Sequence, residues 1–308
     1  MAEQRGEKTS EVAVVRFRAV PGRLDRVAAD RLGLARAEVQ RAVAGGRVLV
    51  DGRARPKAFQ LAGGEEISVD LGGLGSIPPE GPPVPVRYED DHLLVVAKPA
   101  GVPSHPTASR HSGTLVNRLV GMGVRLSEGS APDRPGIVHR LDAGTSGLIV
   151  VAKDDETHLG LGRLFAAHDV DRRYLTLVRG TPEHHRFAVD AALARRGPRI
   201  VVRPGQGRTA ETRFEVRERF ERATLMEAAP RTGRTHQIRV HLASIGHPIL
   251  GDRRYGGGGD DARRLGLDRP FLHSWRMSFT HPVTAIRVEV EEPLPEDLEE
   301  ALRRARAE

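Results

Sequence analysis

The stretch PGIVHRLDAGTSGLIVVAK, residues 135–153, constrains the fold of this chain more than any other segment. Its second half carries an unbroken apolar run from Leu148 to Ala152, a pattern typical of a strand that is covered on both faces. Gly144 and Gly147 precede this run and allow backbone angles that a side chain would forbid. The segment therefore predicts a core strand that follows a tight polar turn.

Asp142 lies in this turn, just after His139 and Arg140. A carboxylate held at the mouth of a core strand is well placed for chemistry. Aspartate is also common in turns because it hydrogen-bonds its own backbone. The local pattern leaves both interpretations of Asp142 open, a catalytic one and a purely structural one.

Charge and composition narrow the class of protein. The 308 residues carry a net charge of +7 with a pI near 10.4, which favours a polyanionic partner such as nucleic acid. The chain has no cysteine, which excludes disulfides, thiol nucleophiles and cysteine-ligated metal sites. Since no apolar run reaches membrane-spanning length and the start lacks a signal-peptide pattern, we expect a cytoplasmic protein with no membrane partner.

The chain divides into four predicted segments. Residues 1–11 are polar and charged without a period, as in a disordered tail. Residues 75–85 carry five prolines, so we expect a stiff, extended linker. The linker separates a small first domain, residues 12–74, from a larger second domain, residues 86–308.

The first domain is predicted to begin with two short helices. Apolar residues share one helical face over residues 24–32, with Gly33 as the stop, and again over residues 35–43. Strands are expected over residues 47–50 and 66–71.

This small domain also carries most of the excess charge. Residues 21–60 hold nine Arg or Lys against four Asp or Glu, which is five of the seven net positive charges. Such a concentration is typical of a nucleic-acid-contacting face, although a solvated helix surface is the alternative. The second helix places three polar residues that we predict to contact RNA: Arg36, Gln40 and Arg41.

In the second domain, alternating or continuous apolar patterns predict strands at residues 92–98, 148–152, 174–178, 212–216, 223–227 and 287–291. Helices are expected after Ser112 or Thr114, after Asp154 and Asp155, and at the C-terminus.

A second polar cluster occupies residues 231–257. Ile238, Leu242 and Ile245 fit one helical face, while Arg239 projects from another. His236 and His241 are five residues apart, so on a helix their directions differ by roughly 140°, which argues against a zinc site.

The glycine run over residues 256–259 is predicted to be a flexible loop. It lacks the lysine and the hydroxyl residue of a phosphate-binding P-loop. We found no dinucleotide fingerprint elsewhere in the sequence, so neither an organic cofactor nor a catalytic metal is expected.

HRLDAGTSGLIVVAK and GRTHQIRVHL, with AKPAGVPSHP, RRYLTLVRG and GHPILGDRRYGG in the same order, resemble the RluA-type pseudouridine synthases. The order of helices and strands over residues 20–72 resembles the S4 RNA-binding domain. Together they resemble the S4-bearing branch that acts on ribosomal RNA of the large subunit. The resemblance implies an α+β fold: a mixed, mainly antiparallel sheet with flanking helices and a central cleft, preceded by a small S4-like αβ domain.

The resemblance implies isomerisation of uridine to pseudouridine in RNA without cofactor or metal. Asp142 would be the catalytic carboxylate, which attacks the ribose, attacks the uracil ring or removes a ribose proton. An arginine would orient it, either Arg239 or, as the second choice, Arg234. Tyr174 would stack on the uracil and assist removal of the C5 proton. Arg140 would fill the space left by the extracted base.

Three alternatives compete with a ribosomal RNA synthase. Transfer RNA is the alternative substrate, and a non-catalytic RNA-binding or ribosome-assembly protein would keep the same fold. A glycosidase would also act at an anomeric carbon, but such enzymes usually pair two carboxylates, and no second acid is evident near Asp142.

Overall fold

The computed structural model describes residues 14–34, 36–70, 77–106, 112–129 and 134–308. The chain forms two compact units, and their boundary falls between Pro78 and Pro79. The tail predicted over residues 1–11 lies outside the described residues. None of the helices in the described part of the chain is long and apolar enough to cross a membrane.

The first unit combines a small antiparallel sheet with two helices. Strands β1, β6, β3 and β4 pair in that order, and β2 pairs with β5. The elements are β1 Val14–Arg18, β2 Gly22–Arg23, α1 Leu24–Leu32, α2 Arg36–Ala44, β3 Val48–Val50, β4 Arg53–Ala54, β5 Gln60–Leu61 and β6 Glu66–Asp70. Both predicted helices form, and Gly33 ends the first with a left-handed φ of 65°. The sequence pattern of the first domain did not predict strand β1.

Asp25 is the polar centre of this unit. Its side chain is buried and accepts hydrogen bonds from Arg23, from Arg36 at 3.0 Å and from Gln40 at 2.7 Å. Burial by itself would raise the pKa of Asp25, but the hydrogen bonds from Arg23, Gln40 and Arg36 lower it to about 2. The aspartate therefore links the start of α1 to α2.

The second unit is built on a large mixed sheet. The strands of this unit are β7 Val86–Glu89, β8 Leu93–Lys98, β9 Ser146–Ala152, β10 Asp171–Arg179, β11 Arg186–Asp190, β12 Leu193–Arg196, β13 Arg199–Val202, β14 Glu211–Arg219, β15 Ala223–Pro230, β16 Leu272–Thr280 and β17 Arg287–Glu291. Strands β12 and β13 pair with each other in a separate two-stranded sheet. Its helices are α3 Leu115–Gly121, α4 Asp155–Ala167, α5 Gln237–Ser244, α6 Asp260–Arg264 and α7 Glu296–Arg306.

The strands of the main sheet follow the order β11, β14, β15, β10, β16, β9, β8, β7, with β17 also paired to β16. The pair β16 and β9 is parallel, and the other named pairs of this sheet are antiparallel. The prediction of a mixed, mainly antiparallel sheet is confirmed. Every residue of β9 is buried, as its continuous apolar run predicts.

Ser274 on β16 connects strand β9, which follows the Asp142 turn, with strand β10, which carries Tyr174. It pairs with Gly147 of β9 on one side and with Tyr174 of β10 on the other. Gly147 has a φ of 109°, and a Cβ atom there would lie 2.2 Å from the carbonyl oxygen of Ser274. Only glycine therefore fits at this position, and its absence of a side chain lets β9 and β16 approach.

The helix caps follow the sequence signals. Thr114 caps α3 and forms a reciprocal capping box with Asn117, while Asp154 caps α4 by accepting from the Thr157 amide at 2.8 Å. These contacts satisfy amides that the first helical turn leaves unpaired.

Several elements differ from the sequence predictions. β16 lies in the middle of the sheet but was not predicted, and β7 precedes the strand expected to open the second domain. β15 is buried along almost its whole length instead of alternating. Ile245 follows α5 and is 39% exposed, so it does not extend the buried face of that helix. Val84, placed in the predicted linker, is buried.

Candidate active site

The turn that carries Asp142 is held by hydrogen bonds to the backbone of the residues on both sides of it. The Gly101 amide donates to the carbonyl oxygen of Ala143 at 2.7 Å. The Ser104 hydroxyl donates to the Leu141 carbonyl at 2.9 Å and accepts from the Leu141 amide at 3.0 Å. The loop that follows β8 therefore fixes the residues on either side of the aspartate.

Lys98 adds a buried anchor to this turn. Its ammonium group donates to the carbonyl oxygens of Val102 at 2.7 Å and of Pro99 at 2.9 Å, and lies 3.4 Å from that of Ala143. Burial lowers the pKa of Lys98 to about 7, although the charge of Asp142 opposes that shift. Lys98 belongs to the AKPAGVPSHP segment that contributes to the family resemblance. The position of Lys98 beneath the turn was not predicted.

Arg239 of α5 contacts Asp142 directly. Its Nη1 donates to Oδ2 of Asp142 at 3.0 Å, while Nε and Nη2 donate to Asp252 at 2.7 and 2.9 Å. Burial by itself would lower the pKa of Arg239, but the hydrogen bond to Asp252 and the charges of Asp142 and Asp252 outweigh it and raise the pKa. The guanidinium thus stays charged and fixed between two carboxylates.

Arg234 does not make this contact. Its Nε donates to the carbonyl oxygen of Thr209 at 3.1 Å. Of the two arginines proposed to orient Asp142, Arg239 is the one that the structure brings to it.

The backbone that positions Arg239 is unusual at His236. This residue precedes α5 and has a left-handed φ of 57°, a conformation that costs on the order of 1–3 kcal/mol in a non-glycine residue. Its Nδ1 lies 2.7 Å from the Tyr255 hydroxyl, and its Nε2 lies 3.9 Å from Oδ2 of Asp142. Burial lowers the pKa of His236, and the charge of Asp142 partly opposes this. From the sequence, His236 was considered only as a metal ligand.

The glycine segment near residue 257 supports the same cluster. The Gly251 amide donates to the Gly257 carbonyl at 2.8 Å, and the Gly257 amide donates to the Asp252 carbonyl at 2.8 Å. A Cβ atom at Gly257 would overlap the carbonyl oxygen of Ile249. The segment predicted to be a flexible loop therefore forms a tight turn that places Asp252 against Arg239.

Tyr174 lies on β10 and lines a pocket that Asp142 and Arg239 also line. The side chain is 5% exposed, and burial raises the pKa of its phenol. The phenol is therefore protonated at neutral pH.

One pocket of the second unit contains most of the predicted site. Among its lining residues are Arg140, Asp142, Tyr174, Arg234, His236 and Arg239. Asp142 is the only carboxylate among the described residues that line it. A pocket with a single oriented carboxylate, an aromatic ring and several cations suits an anionic substrate that is attacked or deprotonated at one centre.

Comparisons with known proteins agree with this geometry. Residues 92–244 match the family model described as RNA pseudouridylate synthase. An uncharacterised RNA pseudouridine synthase of Mycobacterium bovis is 37% identical over 293 residues, which cover 93% of this chain and 95% of the relative. The chain belongs to the RNA pseudouridylate synthase family.

Two further members illustrate the match. Ribosomal large subunit pseudouridine synthase D of Xanthomonas campestris is 39% identical over 303 residues, covering 93% of this chain and 90% of the relative. The structure of human RNA pseudouridylate synthase domain containing 1 superimposes with a TM-score of 0.55 at 27% identity, covering 69% of this chain and 84% of that protein. The predicted enzyme class, an RNA pseudouridine synthase, is confirmed by these matches.

Two of the three residues predicted to bind RNA in the first unit of this synthase contact a buried aspartate. Arg36 and Gln40 bond to the buried Asp25, as described above, and the side chain of Arg36 remains 49% exposed. Arg41 lies on the exposed side of α2. Contact with RNA by these three residues stays a prediction.

Proposed function

We propose that this protein isomerises uridine to pseudouridine in ribosomal RNA of the large subunit, with Asp142 as the catalytic carboxylate. The observation that carries the proposal is the contact between Asp142 and Arg239 in a pocket that Tyr174 also lines. The relatives named for the large ribosomal subunit support the choice of RNA.

The reaction moves one bond and one proton. The bond from uracil N1 to ribose C1′ breaks, a bond from C5 to the same carbon forms, C5 loses its proton and N1 gains one. Asp142 attacks the ribose, attacks the ring or removes a ribose proton, and each of these steps needs an oriented carboxylate. Arg239 supplies that orientation because Asp252 fixes it from the other side.

The surrounding residues have distinct parts in this proposal. Tyr174 stacks on the uracil ring, and its phenol assists loss of the C5 proton. Arg140, which is exposed at the edge of the pocket, occupies the space of the flipped base in the RNA. Base flipping costs a few kcal/mol, and phosphate contacts offset part of that cost.

The first unit is proposed to be an RNA-binding domain of the S4 type. Its excess of positive charge and its two consecutive helices, which strands β3 to β6 follow, support this assignment. In this proposal Arg36, Gln40 and Arg41 contact the RNA, and phosphate contacts hold the substrate while the second unit acts on one uridine.

The test is tritium release from RNA labelled at uridine C5. We expect release from unmodified large-subunit ribosomal RNA by the wild type and none by Asp142→Asn, with RNA affinity nearly unchanged in the variant. Release from transfer RNA alone would show that transfer RNA is the substrate, and the isomerase activity would still be supported. Full activity of Asp142→Asn would contradict the role of the aspartate, and binding without release by the wild type would favour a non-catalytic RNA-binding protein.

A further inference from the structure

A second cleft lies beside the pocket of Asp142 in the second unit. Its volume is about 280 Å³, and it shares Arg140, Arg172 and Gly233 with that pocket. The described residues that line it include no acidic side chain. They include three arginines and two histidines: Arg134, Arg140, Arg172, His105 and His139.

Arg172 carries a buried charge in this cleft. The residue is 8% exposed, and Nη2 donates to the Pro230 carbonyl at 3.2 Å. Its Nε is buried without a hydrogen-bond partner, and no carboxylate in the described part of the chain pairs with it. A buried cation without a counter-ion is costly in free energy. An anion in the cleft would remove part of that cost.

The next residue of β10, Arg173, differs from Arg172 because it has carboxylate partners. Arg173 points to the other face of β10, since side chains alternate along a strand. It lies 2.7 Å from Asp171 and 3.2 Å from Glu227, both in ion pairs. Of the two successive arginines, only the one on the pocket side lacks a carboxylate partner among the described residues.

His139 offers a second donor at the same place. Its Nε2 accepts from the Val150 amide at 3.0 Å, so the hydrogen of the neutral ring lies on Nδ1. That Nδ1 is buried without a partner. Burial lowers the pKa of His139 to about 3, so the ring is neutral. The ring stacks on Phe165 at 4.6 Å, and the guanidinium of Arg172 lies over the same Phe165.

We propose that this cleft binds a phosphodiester group of the RNA strand next to the uridine held beside Asp142, with Arg172 and His139 as donors. The inference rests on the proposed function, because a strand that places a uridine in the first pocket runs past the second. A phosphodiester supplies one negative charge and several acceptor oxygens, which match the planar fork of a guanidinium.

The experiment measures binding separately from catalysis. Unmodified large-subunit ribosomal RNA is titrated with Asp142→Asn protein over a range of salt concentrations. Adding Arg172→Gln should raise Kd about tenfold and reduce the slope of log K against log salt by about one. Arg173→Gln is the matched control, and we expect it to leave both quantities near those of the parent.

Equal salt slopes and equal Kd values for the parent and Arg172→Gln would overturn the phosphate site. If the Gln variant does not fold, Arg172→Lys keeps the charge but loses the fork. A phosphate site then predicts weaker binding with the parental slope, and an unchanged Kd would overturn it. Tritium release by otherwise wild-type protein is scored independently, so a failed phosphate site and a failed isomerase give different results.

Discussion

Asp252 accepts two hydrogen bonds from Arg239, at 2.7 Å from Nε and 2.9 Å from Nη2, and this leaves Nη1 to reach Asp142 at 3.0 Å. The position of Arg239 is thus fixed, on the side away from Asp142, by a residue 13 positions later in the chain. Asp252 is 1% exposed and borders the turn formed by the glycine segment.

Asp252→Asn should reduce kcat on the order of 10²-fold, because a shift of about 1 Å in a positioned group has an effect of this size. Ground-state binding of RNA should change little, since Asp252 does not line the pocket. Single-turnover tritium release and RNA affinity measure the two quantities. Asp260→Asn, at an exposed acid that begins α6, is the control and should retain full activity. A loss of affinity with unchanged kcat would contradict the positioning role.

Tyr174→Phe should keep the stacking surface but lose the phenol that assists proton transfer, so kcat should fall on the order of 10²-fold with RNA affinity retained. Burial raises the phenol pKa above its ordinary value of 10.0, so the group stays protonated below that value. We therefore expect no loss of wild-type activity from ionisation of Tyr174 between neutral pH and about pH 9. Single-turnover rates of both proteins over this pH range test the prediction. Equal rates for the wild type and Tyr174→Phe would leave stacking as the sole role of Tyr174.

Asp25→Asn should destabilise the first unit by roughly 2 kcal/mol near pH 7, because it weakens hydrogen bonds to a charged group. The folded pKa of about 2 lies below the ordinary value of 3.8, so the carboxylate stabilises the fold above that ordinary value. The contribution is lost as pH falls through the folded value. Calorimetric melting of the full chain should show a large difference between wild type and variant near neutral pH and a small one near pH 2. A pH-independent difference would contradict this account.

Substitutions of Arg36 and Arg41 are expected to have the same effect on RNA binding but different effects on stability. Arg41→Gln should weaken RNA binding and lower the salt slope by about one, if α2 contacts phosphate. Arg36→Gln should do the same and also lower the melting temperature, because Arg36 bonds Asp25. Titrations at several salt concentrations and thermal melts distinguish the two. An unchanged slope for both would remove α2 from the RNA interface.

The elements with local signals could be predicted from the sequence. α1 ends at Gly33, α4 begins after Asp154, and the buried strand β9 follows from its continuous apolar run. Each of these signals depends on residues within a few positions of one another, so no knowledge of the tertiary structure is needed.

The rest depends on contacts between distant segments. β16 was missed because its sequence LHSWRMSFT mixes polar and apolar residues, yet His273 and Ser274 are buried between other strands. Asp142 and Arg239 are 97 positions apart, and the sequence alone did not decide between Arg239 and Arg234. Asp252 and Arg172 gave no signal because their roles come from the partners that they have or lack.

Gly147→Ala should disturb the pocket of Asp142 because it forces strands β9 and β16 apart. Its Cβ would lie 2.2 Å from the Ser274 carbonyl oxygen, and the φ of 109° disfavours any side chain. The cost should be at least about 2 kcal/mol from overpacking and backbone strain together. Because Ser274 also pairs with Tyr174, a displaced β16 should lower activity in the protein that remains folded.

The matched control is Gly162→Ala in α4. A Cβ there meets no atom within 4 Å, so the variant should be stabilised by roughly 0.5–1 kcal/mol. Melting temperature and single-turnover tritium release of both variants test the prediction. If Gly147→Ala were as stable and active as the control, the close approach of β9 and β16 would not be what positions Tyr174 in the pocket of Asp142.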